Sequence, residues 1–296
     1  MGIGAALGYA DTFARWHVES GDVDPVYPVM EHLIGPTLDL DWDERISFVL
    51  LYVAYYDIAS ALRAWTEGWR IDGDLTDEQL RYRTGTERRA HRDVRQFRRH
   101  IESMQAMVSH FGGPDEFLSL PDDDPRMRWR VFQDRLSLIH GNGRWAGYKT
   151  GEILDTVLGH NCPPPDAGHA YSSGPRKGLV DLVPASARWT GNDPATIRQL
   201  DQLTNWLVDR WKIPVAQVET VLCDWHSTVN GHYYVGHDID LMQEQVSRVS
   251  ADVRNLIMEA RAAVFDHRWL GEFGGWDGVR KPLNRLFVDR FTVEWW

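Results

Sequence analysis

The sequence predicts an all-α fold, and three observations carry the prediction. Apolar residues recur at helical spacing through most of the chain. The segments so marked open on capping residues and close on glycine or proline. No run alternates at strand period beyond the short "HYYVG" and "GLVDLVP".

In chain order, "DERISFVLLYVAYYDIASALRAWTEGW" (43–69) reads as one long, largely apolar helix, with Asp41 or Asp43 placed to cap it. "TDEQLRYRTGTERRAHRDVRQFRRHIESMQAMVSHFG" (76–112) follows as a helical pattern and stops at Gly112-Gly113-Pro114. "DPRMRWRVFQDRLSLIHG" (124–141) opens after an Asp-rich cap, and "RWAGYKTGEILDTVLG" (144–159) is the next helix. Further helices are expected at 193–212, 214–231 and 239–265. Gly159 to Asp193 reads as one long irregular segment, the kind that is functional or disordered in a compact domain.

The 296 residues are expected to form a single helical domain over 1–296, or two closely packed lobes. With 43% apolar and 25% charged residues, the chain can bury a sizeable core. Its 14 Trp exceed ordinary usage and suit stacking on unpaired bases as well as core packing. Two Cys, Cys162 and Cys223, are too few for a disulfide scaffold or a four-cysteine metal site. A reduced, cytoplasmic setting follows, in a host cell if the protein is viral. The first residues lack a basic region followed by a long apolar one, so no signal peptide is expected. No run of 18 apolar residues exists to span a membrane. A net charge of −11 argues against a general polyanion binder but leaves room for a locally basic face.

Such a face is suggested by "RYRTGTERRAHRDVRQFRRH" (81–100), with eight Arg. Arg88, Arg92, Arg95 and Arg99 recur at i, i+4, i+7 and i+11, one face of a helix and a candidate phosphate-tracking stripe. The alternative is a solvated helix paired with acidic neighbours. A second anion-binding candidate is "IHGNGRWAGYKTGEIL", where Gly141 and Gly143 sit at the mouth of a helix. Glycine lets a phosphate approach the backbone, and the first amides of the helix point at it. Arg144 and Lys149 add charge, and Trp145 adds an aromatic face. A tight turn needing glycine for geometry alone is the competing reading.

The hairpin context resembles the helix-hairpin-helix element of the DNA glycosylase superfamily. There a Gly-x-Gly turn opens a helix, and a Pro-rich loop bearing an Asp follows. Here "CPPPD" ends in Asp166, 23 residues after Gly143. The resemblance implies a DNA-glycosylase-like helical fold, with Gly141 and Gly143 on a backbone phosphate. It also implies that Asp166 faces a base drawn from the stack.

The densest chemical stretch is "VETVLCDWHSTVNGHYYVGHDIDLM" (218–242). Glu219, Cys223 and His226 share one helix face, and Tyr234, His237 and Asp238 crowd a glycine-flanked turn. No tight zinc template is present, so a metal-free active-site wall is expected, with carboxylates and imidazoles as proton acceptors. "ETVLCDW" leading into "GHYYVGHD" looks like the bacteriophage amino acid:DNA transferases, also described as α-glutamyl/putrescinyl thymine pyrophosphorylases. That resemblance implies double-stranded DNA carrying a modified pyrimidine as one partner and a small amine or amino acid as the other. It implies displacement of pyrophosphate from an activated 5-hydroxymethyl base, with no cofactor. Asp166, His226, His237 and Asp238 are then candidate bases, Arg176 and Lys177 candidate pyrophosphate ligands, and Glu219 and Tyr234 candidate substrate contacts. A DNA glycosylase using Asp166 and Lys149, or a non-catalytic DNA-binding phage protein, are the alternatives.

Overall fold

The computed structural model describes residues 3–85, 93–120 and 124–270, which contain thirteen α-helices and no strand. They are α1 (Ile3–Glu19), α2 (Val26–His32), α3 (Trp42–Tyr55), α4 (Ile58–Thr66), α5 (Val94–Phe111), α6 (Pro114–Leu118) and α7 (Pro125–Ser137). The others are α8 (Arg144–Leu158), α9 (Gly174–Leu182), α10 (Pro194–Trp211), α11 (Val215–Val229), α12 (His237–Val246) and α13 (Ala251–Val264). Two compact units form. The first comprises Met1–Pro25, Pro164–Glu244 and Phe265–Trp296, and the second comprises Val26–Pro163 and Gln245–Val264.

In the second unit, α3 and α8 are the central helices. Every residue from Ile46 to Tyr55 and from Ala146 to Leu154 is buried, as expected for helices packed on all sides. Each fully buried Leu, Ile or Phe there contributes about 1.5–3 kcal/mol. α7 lies close on α8 because Gly147 and Gly151 leave room for Gln133 and Trp129; a Cβ at either glycine would overlap them.

The expected long helix over 43–69 is two helices. Asp41 opens α3 with a capping box to Glu44, but Tyr56 turns left-handed (φ 51°) and Asp57 caps a new helix on the Ser60 amide. The cause comes from elsewhere in the chain: the Gly85 amide donates to the Tyr55 carbonyl at 2.9 Å, and its α-carbon lies against Tyr56 too closely for any side chain. The helical pattern over 76–112 likewise resolves into a 3-10 turn at Gln79–Arg81 and α5, opened by Asp93. The pattern over 239–265 is α12 and α13 around a turn.

In the first unit, the expected irregular segment contains α9. Gly174 and Gly178 let this helix lie directly on α11, since a Cβ at Gly174 would overlap the Cys223 sulfur and one at Gly178 the Leu222 carbonyl. Glycine reads as loop in sequence because it weakens a helix by about 1 kcal/mol relative to Ala, and here the packing of α9 on α11 outweighs that cost.

Candidate functional site

The first unit holds a buried charged cluster built around His17. That residue is fully buried on α1, stacked on Phe13 (5.0 Å) with Tyr233 edge-on (5.5 Å). Its Nε2 lies 2.9 Å from Asp224 Oδ2, and its Nδ1 lies 3.6 Å from Asp22 Oδ2. Asp22 has no solvent exposure. It accepts the Tyr233 hydroxyl and the Gly236 amide at 2.7 Å and the amides of Asp238 and Ile239 at 3.0 Å. The anion therefore sits at the N-terminus of α12, where unpaired amides favour negative charge.

Charge settles accordingly. Burial opposes an imidazolium at His17, but the neighbouring carboxylates of Asp22 and Asp224 outweigh it and raise the pKa to about 10. Burial works against the Asp22 carboxylate too, yet His17 and Tyr233 hold it below the usual range. Asp224 is pushed up to about 6, by burial against the opposing pull of His17. Burial also keeps the Tyr233 phenol protonated, well above its ordinary value. The Asp224 side chain retains 16% exposure. Beside it stands a second acceptor: His237 Nδ1 lies 2.7 Å from Asp238 Oδ1, and both side chains are about one-third exposed, at 34% and 36%. Burial disfavours charge on His237, but Asp238 raises its pKa overall. An anchored carboxylate–imidazolium–carboxylate chain thus ends at two partly open proton acceptors.

The other expected acceptors lie in different settings. His226 Nδ1 is 2.6 Å from Asp181 Oδ2, with Asp181 delivered by α9. Burial raises Asp181 against the pull of His226. Asp166 accepts the Gly168 amide at 2.7 Å and belongs with Asp201 and Arg176. Of the expected substrate contacts, Glu219 is 4% exposed and receives the Cys223 thiol at 3.5 Å, facing the interior. Tyr234 donates to the buried Asp240 at 2.8 Å. Arg176 is half-buried and bonds the carbonyls of Thr190 and Gly191, whereas Lys177 is exposed. Among the described residues, no group of three or more His, Cys, Asp or Glu side chains is arranged to hold a metal ion.

The second unit carries the hairpin. α7 and α8 flank the Gly141-Asn142-Gly143 turn, where only Gly141 is left-handed (φ 81°) and Gly143 is extended (φ −81°, ψ 177°). Gly143 occupies the N-cap of α8, and no side chain caps that helix. The turn is fastened to α5: His140 Nε2 meets Gln96 Oε1 at 2.8 Å, His100 Nδ1 meets the His140 carbonyl at 2.7 Å, and Ser103 accepts the His140 amide at 2.9 Å. Arg95 and Arg99 stand one position before Gln96 and His100 along α5, exposed, and Arg144 is exposed at the start of α8. Arg88 and Arg92 lie outside the described residues. Trp145 is half-buried against Tyr56, with ring centroids 5.5 Å apart. Lys149 is 7% exposed, and its ammonium lies 2.8 Å from the buried Glu152 carboxylate. Its charge is directed into the interior.

Sequence reasoning missed His17, Asp22, Asp181, Asp201 and Asp224. His17 and Asp224 are separated by 207 positions, and nothing local to either advertises the pair. Asp224 does sit inside "VLCDWHS", beside the cysteine that draws attention instead. A family model described as amino acid:DNA transferase matches residues 18–234. The matched stretch contains Asp22, the hairpin, Asp166, Asp181, Asp224 and His226, while His17 and His237 lie just beyond its ends.

Proposed function

The chain belongs to the amino acid:DNA transferase family, and from that premise we propose that it joins an amine to a pyrimidine base in DNA whose 5-hydroxymethyl group carries pyrophosphate. The amine nitrogen forms a bond to the exocyclic carbon, the carbon–oxygen bond breaks, and pyrophosphate leaves with the electron pair. The attacking amine must surrender a proton, which requires a base whose pKa lies near the working pH. Asp224, at about 6 and partly exposed, has those properties. The observation that carries the reading is the Asp22–His17–Asp224 chain, which fixes that carboxylate in position and supplies a permanent cation behind it. His237, oriented by Asp238, is the second acceptor of the same cluster. Lys177, exposed in the first turn of α9, is a candidate partner for the leaving pyrophosphate.

In the second unit, the uncapped start of α8 after Gly143, with Arg95, Arg99 and Arg144, offers amides and cations suited to DNA backbone phosphates. On this reading the α7–α8 pair acts as a helix-hairpin-helix element. The engagement of Lys149 by Glu152 disfavours a glycosylase using that amine as nucleophile.

The test is to incubate the protein with DNA bearing 5-hydroxymethyluracil pyrophosphate and candidate amines, then weigh the released nucleosides. A mass change equal to the amine minus pyrophosphoric acid, a net loss for a small amine, supports transfer. Release of free base indicates a glycosylase, and unchanged DNA indicates binding alone.

A further inference from the structure

One face of α1 borders a cleft of about 610 Å³ within the first unit, closed on its other side by the end of α10 and the turn into α11. That volume falls in the range of small-molecule sites. Asp11, Ala14, Arg15, Val18 and Glu19 come from α1, spaced so that they share a helix face to which His17 does not belong. Arg210, Trp211, Lys212 and Ile213 form the opposite wall. None of these residues takes part in the proton-transfer cluster described above.

The Trp211 ring is held in place, because its indole Nε1 donates to Asp11 Oδ1 at 2.9 Å. The same carboxylate accepts Arg210 at both oxygens, at 2.7 and 2.6 Å, so these two charges cancel. Glu19 lies close enough to Arg268 to favour that cation. Two cations are left over. Arg15 and Lys212 are exposed, and neither makes a hydrogen bond or an ion pair among the described residues.

Lys212 adds a conformational argument. It ends α10 in the left-handed region (φ 58°), where glycine is at no disadvantage and an L residue is strained. Glycine would serve the turn better. What the lysine contributes is its side chain, and that side chain lines the cleft.

We propose that the cleft binds a nucleoside phosphate, with the base against Trp211 and the phosphate between Arg15 and Lys212. Aromatic stacking beside cations is how proteins hold unpaired nucleotides. Ala14, Val18 and Ile213 complete an apolar floor for a flat base. Two unengaged cations suit a phosphate and repel an amine or a polyamine. The ligand arrives as a free nucleotide or as an unpaired residue of a DNA strand, and the recognition chemistry is the same for both.

Calorimetric titration of the full chain with thymidine 5′-monophosphate, thymidine, inorganic phosphate and a short single-stranded oligothymidylate tests this. Lys212→Gly should weaken nucleotide binding about 10- to 100-fold, the loss of one charge-assisted hydrogen bond, while folding at least as stably as the wild type. Arg15→Gln should show a loss of similar size. Trp211→Phe should retain part of the affinity that Trp211→Ala loses. Thymidine and inorganic phosphate should each bind more weakly than the nucleotide, since each makes only part of the contacts. Binding of the monophosphate identifies a free nucleotide as the ligand, and binding of the oligothymidylate alone identifies a strand. Unchanged affinity in both Lys212→Gly and Arg15→Gln overturns the site, as does the absence of saturable binding of both probes. Oligothymidylate binding that is lost when Arg95→Glu and Arg99→Glu are combined, yet kept in Lys212→Gly, belongs to the hairpin face and also overturns it. Asp224→Asn should leave nucleotide binding unchanged, so failure of the transferase reading and failure of this site are read separately.

Discussion

The Asp22 carboxylate stands 3.6 Å from Nδ1 of His17 while accepting the amides of Asp238 and Ile239, so one buried anion joins the end of α1 to the start of α12. Removing it strips one of two carboxylates from a buried cation and leaves the first amides of α12 without their acceptor. Asp22→Ala should therefore destabilise the protein by about 3–5 kcal/mol, the range for breaking a buried ion pair. Chemical denaturation measures this, and a loss below about 1 kcal/mol, the scale of an exposed pair, would refute the anchoring role.

The same pair sets a pH dependence. His17 is raised from 6.5 to about 10 on folding, so its contribution is fully present below pH 6.5 and disappears as pH climbs toward 10. Denaturation midpoints should decline across that window. In His17→Gln the decline should flatten; a wild-type slope in that variant would assign the effect to other groups.

Asp224→Asn should lower kcat about 100- to 10,000-fold, as general-base loss does, with the amine KM little changed. The wild-type rate should lose activity as pH falls through about 6, where the carboxylate protonates. If His237→Gln shows the large kcat loss and Asp224→Asn a small one, His237 is the base and Asp224 its support.

The two hairpin glycines should behave differently. A side chain at Gly143 meets nothing within 4 Å, so Gly143→Val should fold normally and lose DNA affinity. Gly141 is left-handed at φ 81°, so Gly141→Val should cost about 1–2 kcal/mol of stability before DNA is added. Equal effects of the two on folding would return the whole turn to a structural role.

Arg95→Glu combined with Arg99→Glu should weaken duplex binding and reduce the salt slope by about one unit for each phosphate no longer engaged. Filter binding across a salt series reads this, and an unaltered slope removes α5 from the interface.

How much of this can be read from sequence follows the range of each interaction. α7, α8, α10 and α11 are legible because Asp124-Pro125, Gly159, Asp193-Pro194 and Pro214 are local start and stop signals. The break at Tyr56 is not, since Gly85 imposes it from a distant part of the chain. His237 and Asp238 can be named as neighbours because they are adjacent in sequence. Their supports, His17 and Asp22, come from the other end of the first unit and carry no motif. The Arg stripe is only partly placed: Arg95 and Arg99 lie on α5, Arg98 turns instead to Asp77 at 2.6 Å, and Arg88 and Arg92 are outside the described residues.

The close approach of Gly174 and Gly178 to α11 has a kinetic corollary. A nine-residue segment containing two glycines nucleates poorly on its own, so α9 is helical only once α11 offers a surface to dock on. The loop that α9 interrupts is therefore expected to close only as the helix docks. The Asp181–His226 pair should accordingly form late in folding. A slow refolding phase sensitive to Gly178→Ala, with little response to changes in α8, would mark that docking step.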